Sequence, residues 1–559
     1  MTEEQLAETT ETLSETKVKT HVITAAQGIQ SPYQARMYGR EPRRGKPNYQ
    51  LIDNMENYAR DHNAEINICA VPGSYVNEIE LDEFFHDRDD VYIEEEAKKR
   101  NEQNRKKERE RREAFEKRKE NWEAKNPQEQ FPWEMPMHFF WEHIPNTNYP
   151  LAKKKFNSNA HLISVPEPSQ NRDPLVGKER YTTKYGNSSI VMPSPKHRLK
   201  PVSSGQAGEY PRLMMTTGAC THPSYNTSNR MGKIAYEDHK YGFAVIDVID
   251  DKIFLPRIVP AQKNGTFVDM GIKYAAGQEP TKVKTTALVL GDLHVTEINE
   301  KVDKANEEMM EYFKPENTYV GDAMDSDTVS PHQKDDFIRQ MNKFENKRTS
   351  LEEELVLTGE NLKRKGSILL PWGGQLWNTP DNHGHMVYRY LTKGQYMNDR
   401  ENARFAFKLL GLDARDLQRM GMSDTQLNEF NCIEAAIRYV TPDLPKNVNF
   451  LKPGVDRIHW GWQCAAHGHL GKNGARGSLK SLMEGYGKVI HGHVHQLEII
   501  GDSMSVGTSS KIPMDYQLGQ PSTSMAGNGV IYEGGFMQGL PIVKGKWAKD
   551  GFADHVKQN

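Results

Sequence analysis

Short apolar runs that stop at a polar cluster recur along the second half of this chain. The run LVL at 288–290 ends at Gly291 and is followed by Asp292 and His294. A short apolar run bounded by a turn residue is typical of a buried strand. The pattern therefore predicts strands whose ends present polar side chains.

The first half of the chain opens with a strand, a helix and a second strand. Residues 17–27, KVKTHVITAAQ, have the pattern of a strand, residues 48–62 that of an amphipathic helix, and residues 64–73 that of a strand ending at Pro-Gly. Residues 186–280 are rich in Gly, Pro and Ser, which predicts loops and hairpins. Together with the strand ends of the second half, these patterns predict an α/β protein.

Residues 94–125 interrupt this pattern with an almost continuous run of charged side chains. Between Lys98 and Lys125 there are 13 Lys and Arg and 7 Asp and Glu. The run predicts a long solvated helix, either an exposed helix with internal ion pairs or a basic arm that contacts phosphate groups. An aromatic cluster follows at 131–141, and it is expected to pack on its own domain or on a second subunit of a homo-oligomer.

Composition limits the compartment and the number of domains. A chain of 559 residues is too long for one hydrophobic core, so two or three domains are expected. Four cysteines without paired spacing fit a reducing compartment. No apolar run reaches the roughly 20 residues that span a bilayer, and the acidic, Thr-rich residues 1–20 do not resemble a signal peptide. These features predict a cytoplasmic protein with no membrane partner and with a disordered N-terminus over 1–20.

Four further polar clusters follow LVLGDLHV in order. They are Gly321-Asp322 with Asp325, Asn382-His383, His467 with His469, and His493 with His495. Strand ends on one edge of a sheet converge, so these side chains are expected to form one site. Asp, Asn and neutral His are ligands of divalent metals such as Mn²⁺, Fe²⁺ and Zn²⁺. Seven such ligands are too many for one ion but suffice for two that share a carboxylate.

The order D-x-H, G-D-x-x-D, N-H, H-x-H and G-H-x-H resembles the calcineurin-like metallophosphoesterase superfamily. The resemblance covers residues 286–515 and implies a four-layer α/β/β/α sandwich with a dinuclear metal site. We therefore expect a disordered N-terminus at 1–20, an accessory α/β region with the charged helix at 21–280, a catalytic domain at 281–515, and a C-terminal extension at 516–559.

The resemblance also assigns residues to roles. It implies that one metal is held by Asp292, His294, Asp322 and His495, and the other by Asp322, Asn382, His467 and His493. His383 corresponds to the catalytic histidine of the family, which contacts the phosphate and protonates the leaving oxygen. Asp325 and His469 are expected to support the ligands. The implied cofactor is two divalent ions, with Mn²⁺ as the first choice and Fe²⁺, Zn²⁺ or Mg²⁺ as alternatives.

One motif departs from the family pattern. Asp381 stands where the family has a glycine before the Asn-His pair, and the apolar run SILLPWGG ends well upstream of it. The intervening residues 375–381, QLWNTPD, are therefore expected to form an inserted loop that lines the substrate cleft.

Three functions fit this motif set. The large N-terminal region and the basic segments 37–49 and 193–202 favour a DNA nuclease of the SbcD-like branch, in which a hydroxide activated by two metals hydrolyses phosphodiester bonds. Length and organisation also resemble the large host-DNA-degrading pre-early nucleases of tailed coliphages, which implies DNA as the partner and the host cytoplasm as the location. The non-basic net charge of −3 favours a phosphatase or a small-molecule phosphodiesterase instead. The third alternative is a scaffold without activity, which the intact ligand set disfavours.

Overall fold

The computed structural model describes residues 18–30, 46–75, 106–127, 153–204 and 210–556, with gaps of one to eight residues inside these ranges. Residues 1–17 of the predicted disordered N-terminus and the aromatic cluster at 131–141 lie outside the described residues. Of the predicted charged helix, residues 116–125 are described and are helical, with Lys117 and Arg118 exposed.

Twenty-one of the described strands form three large sheets. The N-terminal sheet has, in spatial order, β16 (Thr281–Lys282), β15 (Ile272–Tyr274), β14 (Phe267–Asp269), β13 (Phe254–Ala261), β12 (Tyr241–Val248), β1 (Lys19–Ala26) and β4 (Glu65–Ala70). The central sheet has β20 (Val448–Phe450), β19 (Gln375–Asn378), β18 (Asn317–Val320), β17 (Thr285–Val289), β26 (Ala526–Tyr532) and β27 (Phe536–Ile542). The outer sheet has β23 (Ile490–His491), β25 (Ser503–Ser505), β24 (Glu498–Ile500), β9 (Arg198–Val202), β10 (Arg212–Thr216), β8 (Ser189–Met192), β7 (Ala160–Ile163) and β6 (Lys153–Asn157); the first of these pairs β25 and the last pairs β7.

Three short two-stranded pairs accompany these sheets. They are β3 (Lys46–Pro47) with β11 (Thr221–His222), β2 (Ile29–Gln30) with β5 (Ser74–Tyr75), and β21 (Ile458–His459) with β22 (Trp462–Gln463). The helices are α1 (Tyr49–Asp61), α2 (Arg180–Lys184), α3 (Arg230–Glu237), α4 (Glu300–Phe313), α5 (Phe337–Glu345), α6 (Leu351–Leu369), α7 (Asn382–Thr392), α8 (Ala403–Leu410), α9 (Ala414–Arg419), α10 (Cys432–Val440), α11 (Leu479–Tyr486) and α12 (Ala548–Val556). Among the described helices, none is long and apolar enough to cross a membrane.

Alternating side chains of the central sheet enter two different cores. Leu288 and Leu290 pack in a core with helical residues, whereas Ala287 and Val289 pack in a second core with residues of the outer sheet. Alternation of this kind follows from the two-residue repeat of a strand. Helices therefore cover one face of the central sheet, and the outer sheet covers the other. The predicted α/β class is confirmed, including the strand, helix and strand at β1, α1 and β4.

Both sheets that flank the site contain strands from outside residues 281–515. In the outer sheet, β24 pairs antiparallel with β9, with Ile499 opposite Leu199. In the central sheet, β17 pairs antiparallel with β26, whose Val530 lies opposite Leu288. Backbone pairing thus links the accessory region and the C-terminal extension to the predicted catalytic domain. The domain boundaries themselves stay a prediction.

A buried ionic network joins the N-terminal sheet to the central sheet. The Arg257 guanidinium contacts the carboxylates of Asp247 and Asp269, and the Nε–Oδ1 distance to Asp269 is 2.8 Å. Gln538 of β27 donates to Asp269 Oδ1 at 2.6 Å and accepts from the backbone N of Met270 at 3.2 Å. Arg257 and Asp269 are almost completely inaccessible to water. Although burial alone would raise it, the pKa of Asp269 is lowered because of the adjacent Arg257.

We expect Arg257→Met to destabilise the protein by about 3–5 kcal/mol, because it leaves two buried carboxylates without their cation. A lower Tm in calorimetry at pH 7 would report this loss, with Arg415→Met as the matched control at an exposed arginine. Adding Asp269→Asn to the variant should restore part of the Tm. If Arg257→Met alone melted at the wild-type temperature, the network would not be what holds the two sheets together.

Candidate metal centre

The predicted polar clusters converge at one edge of the central and outer sheets. Asp292 follows β17, Asp322 follows β18, and His493 follows β23. The backbone N of Leu293 donates to Gly321 O at 3.1 Å, and that of His294 donates to Asp322 O at 2.8 Å. These bonds join the ends of β17 and β18, so their polar side chains leave the sheet at the same place.

Four of the site residues have a left-handed backbone, which is unusual for residues other than glycine. They are His294 (φ 47°), Asp322 (φ 41°), His493 (φ 71°) and His495 (φ 55°). Such conformations persist where surrounding bonds fix them, and they are concentrated at functional sites. Here the backbone N of His493 donates to Asp292 Oδ2 at 2.6 Å, and Met525 N donates to His495 O at 2.9 Å. The positions of these side chains are thus set by the fold.

Six of the seven predicted ligands form two overlapping groups. The first contains Asp292, His294, Asp322 and His495, and the second contains Asp322, His467 and His493. Within each group the candidate ligand atoms lie within 4.8 Å of one another. Asp322 belongs to both groups, as predicted for the bridging carboxylate, and its Oδ2 lies 3.1 Å from His467 Nε2 and 3.7 Å from His294 Nε2.

Several polar atoms of this centre are buried without a hydrogen-bond partner among the described residues. They are Asp292 Oδ1, Asp322 Oδ1, Asn382 Oδ1 and His467 Nδ1. A buried polar atom without a partner costs about 1–3 kcal/mol, so clusters of such atoms are rare unless something binds them. Carboxylate, amide and imidazole atoms are also the donors that divalent ions take. The residues present therefore fit a metal centre.

The charges in the centre favour a cation at the same place. Burial raises the pKa of Asp292 to about 7. Burial would lower the pKa of His467, but the carboxylates of Asp322 and Asp292 raise it to about 10. Burial lowers the pKa of His493 to about 4, so that imidazole is neutral near pH 7, whereas His467 carries a proton that a metal ion would have to displace.

Asn382 lies at the start of α7. The segment that precedes it is not the inserted loop that the sequence predicted. Residues 375–378 of the expected inserted loop are strand β19, which pairs in parallel with both β18 and β20. The expectation was wrong because the apolar run SILLPW lies at the end of α6 and in the following turn, while QLWN is the strand. The Asn382-His383 pair consequently follows a strand of the central sheet, like the first two clusters.

Asp381, which replaces the glycine of the family pattern, connects α7 to the bridging residue. Its Oδ1 accepts from Gly384 N at 2.7 Å and caps the helix, while its Oδ2 accepts from Asp322 N at 3.1 Å. The side chain thereby fixes the distance between the Asp322 loop and the helix that carries Asn382. This role was not predicted, although Asp three residues before Gly384 at a helix start is a recognisable cap signal.

His383 and Asp325 lie beside the first group. His383 Nδ1 donates to the backbone oxygen of Asp325, and its Nε2 lies 3.9 Å from Asp322 Oδ2. The Asp325 side chain accepts from His294 Nδ1 at 2.8 Å and from Thr296 N at 2.9 Å. The first bond directs His294 Nε2 into the first ligand group, where it lies 3.0 Å from His495 Nε2. Because the His383 ring is about a quarter exposed, it can also contact a substrate.

His469 lies near the second group but does not belong to it. Its ring centre is 5.6 Å from that of His467 and 6.3 Å from that of His493. Burial lowers its pKa to about 4. Of the two histidines in the H-x-H motif, His467 is the one whose ring atoms approach the carboxylates.

Glu354 supports the site from α6 and was not predicted. Its carboxylate accepts from Asp327 N at 3.1 Å and from Thr328 N at 3.2 Å, which holds the loop after Asp325. Burial raises its pKa to about 7, and the Asp325 charge adds to the effect. In the sequence Glu354 is one of three consecutive glutamates at a helix start, a pattern that predicts exposed side chains.

Two glycines allow the groups to approach one another. A Cβ on Gly492 would lie 2.1 Å from Asp292 Oδ1, and a Cβ on Gly321 would lie 2.5 Å from His467 Nδ1. Any other residue would displace these ligand atoms. The glycines of the GH-x-H and GD-x-x-D motifs are therefore required by packing within the metal centre.

The chain has sequence similarity to a phage protein. It is similar to Protein A1 of Escherichia phage T5, with 24% identical residues over an alignment of 396 residues that covers 68% of each chain. No model of a known protein family matches the chain. No solved structure matches it either.

Proposed function

We propose that this chain is a metal-dependent nuclease of the calcineurin-like metallophosphoesterase superfamily that hydrolyses phosphodiester bonds of DNA. The observation that carries the proposal is the pair of ligand groups that share Asp322, with His383 at their exposed side. The five motifs occur in the order of that superfamily, and the side chains they supply lie together. The mixed α/β layers with helices on the central sheet agree with the sandwich expected for it.

In this proposal the two groups, together with Asn382, would hold two divalent ions, of which Mn²⁺ is the first choice. Bound there, the ions would supply Lewis acidity and lower the pKa of a water molecule that attacks phosphorus. Asp322 carries the negative charge between the two positions, because only an anion offsets the repulsion of two cations. Asp325 orients His294, and Asp381 sets the position of Asn382.

His383 is the proposed general acid. Its Nδ1 carries the hydrogen that is donated to Asp325 O, so the other nitrogen, Nε2, is left on the side of the ligand groups, 3.9 Å from Asp322 Oδ2. A protonated Nε2 can donate to the sugar oxygen as the phosphorus–oxygen bond breaks. The Asp325 backbone oxygen holds the ring in the orientation that this transfer needs.

DNA is the proposed substrate because of features outside the metal centre. The similarity to a phage protein agrees with the resemblance to large phage nucleases. The described part of the charged helix exposes Lys117 and Arg118, which suit phosphate contacts. Glu116, Glu120 and Glu123 alternate with these cations, which favours the second candidate, a phosphatase or small-molecule phosphodiesterase.

Incubation with linear duplex DNA, closed circular plasmid and an aryl phosphomonoester, in Mn²⁺ or in EDTA, tests the proposal. We expect Mn²⁺-dependent loss of DNA, and the plasmid will show whether free ends are needed. Turnover of the monoester with intact DNA would move the protein to the phosphatases. Bound metal without turnover of any substrate would favour a scaffold.

A further inference from the structure

A polar cavity of about 450 Å³ extends from one side of the metal centre. His493 and His495, one from each ligand group, form part of its wall, so the cavity opens on the centre itself. Pockets of this size hold small organic ligands. Its position makes it a candidate for the part of a substrate that lies next to the reacting phosphate.

The far wall of the cavity is held by its own hydrogen bonds. Gln517 Nε2 donates to Ser524 Oγ at 2.8 Å, and Ser522 Oγ donates to Gln517 Oε1 at 3.2 Å. Ser524 N in turn donates to Ser522 Oγ at 3.1 Å. The wall is thus formed before any ligand binds, and it offers neutral hydroxyl and amide groups.

Arg476 supplies the positive charge in the lining. Its side chain is exposed, no described carboxylate forms an ion pair with it, and it is close enough to His493 to affect the charge there. The lining also contains one carboxylate, Glu498, whose Oε1 is engaged by Arg198 at 2.7 Å. A guanidinium beside neutral hydrogen-bond donors favours a ligand that carries a phosphate over an uncharged ligand.

We propose that this cavity is the subsite for the nucleotide adjacent to the scissile phosphate, with Arg476 binding that nucleotide's own phosphate. The proposal rests on the nuclease function and names the recognition of its polymeric substrate. The lining includes no Phe, Tyr or Trp side chain, and its two imidazoles, His493 and His495, belong to the ligand groups, so the base is not held by stacking. Contacts to phosphate and sugar alone do not read sequence, so the subsite favours polynucleotides over isolated esters without base preference.

The test compares a diester that has a neighbouring phosphate with a diester that has none. Hydrolysis of a labelled oligodeoxythymidylate and of bis(4-nitrophenyl) phosphate is measured with Mn²⁺ for wild type and Arg476→Gln. We expect the variant to lose about tenfold in kcat/KM on the oligonucleotide, mainly through KM, since one charge-assisted phosphate contact contributes about that factor. Its rate on the aryl diester should stay unchanged. The slope of log(kcat/KM) against log salt for the oligonucleotide should fall by about one.

Arg415→Gln, the same change at an exposed arginine outside the cavity lining, is the control and should behave as wild type. Equal losses on both diesters, or no loss on either, would overturn the subsite while leaving the nuclease function in place. A wild-type protein that hydrolyses neither diester would overturn the proposed function, and the subsite with it.

Discussion

Asp322→Asn should lose metal from both ligand groups and lower the hydrolysis rate by at least about 1,000-fold. Asp322 is shared by the two groups. Burial would raise its pKa, yet neighbouring imidazoles such as His467 and His383 hold it well below the usual range. The residue is therefore an anion at neutral pH, and the amide removes that charge with little change in shape.

Metal content and melting temperature provide readouts of this variant besides activity. Wild type should retain two Mn²⁺ per chain after desalting and melt at a higher temperature in Mn²⁺ than in EDTA, since a ligand that binds the folded state stabilises it. Asp322→Asn should show neither property. Asp443→Asn is the control, because Asp443 is an exposed carboxylate that pairs with Lys363. Two tightly bound ions in Asp322→Asn would contradict the bridging role.

His383→Ala should keep both metals and lose about 100- to 10,000-fold in kcat on DNA, the usual contribution of a general acid. The loss on bis(4-nitrophenyl) phosphate should be much smaller, because a nitrophenolate leaves without needing a proton. Metal content should stay at the wild-type level, since His383 belongs to neither ligand group.

His385→Ala is the matched control for this variant, because His385 lies two residues further along α7 and is exposed. Equal losses on both substrates would assign His383 to phosphate binding rather than to proton transfer. Full activity on DNA, with metals bound, would remove His383 from the mechanism.

The convergence of these polar side chains was predictable from the sequence because they follow short apolar runs. Asp292 and His493 are 201 residues apart, yet each ends a strand at the same edge. Residue type and strand ends together indicated ten candidate side chains, and the resemblance to the superfamily implied that seven of them are ligands, of which six form the two groups.

Supporting residues were not predictable in the same way. Strand β19 contains Gln375 and Asn378, so its four residues lack the apolar pattern of a buried strand. The strand forms because its backbone pairs with β18 on one side and with β20 on the other, not because every side chain is buried. Glu354 has the sequence setting of an exposed helix residue but is buried by the loop it binds. Such a role depends on which distant segment packs against the residue, so the local sequence contains no pattern that predicts it.

One of the two partners of β9 in the outer sheet, strand β24, is synthesised late. Leu199 pairs with Ile499, 300 residues further along the chain, so at about 5–20 residues per second the ribosome needs roughly 15–60 s to supply β24. Until then that edge of β9 lacks its strand, and open edges invite pairing with other chains. The sequence RLKPV places Arg198, Lys200 and Pro201 on this strand, and charged residues and proline are those that natural edge strands use against such pairing. Side chains of this kind disfavour pairing of the open edge with another chain until β24 is added.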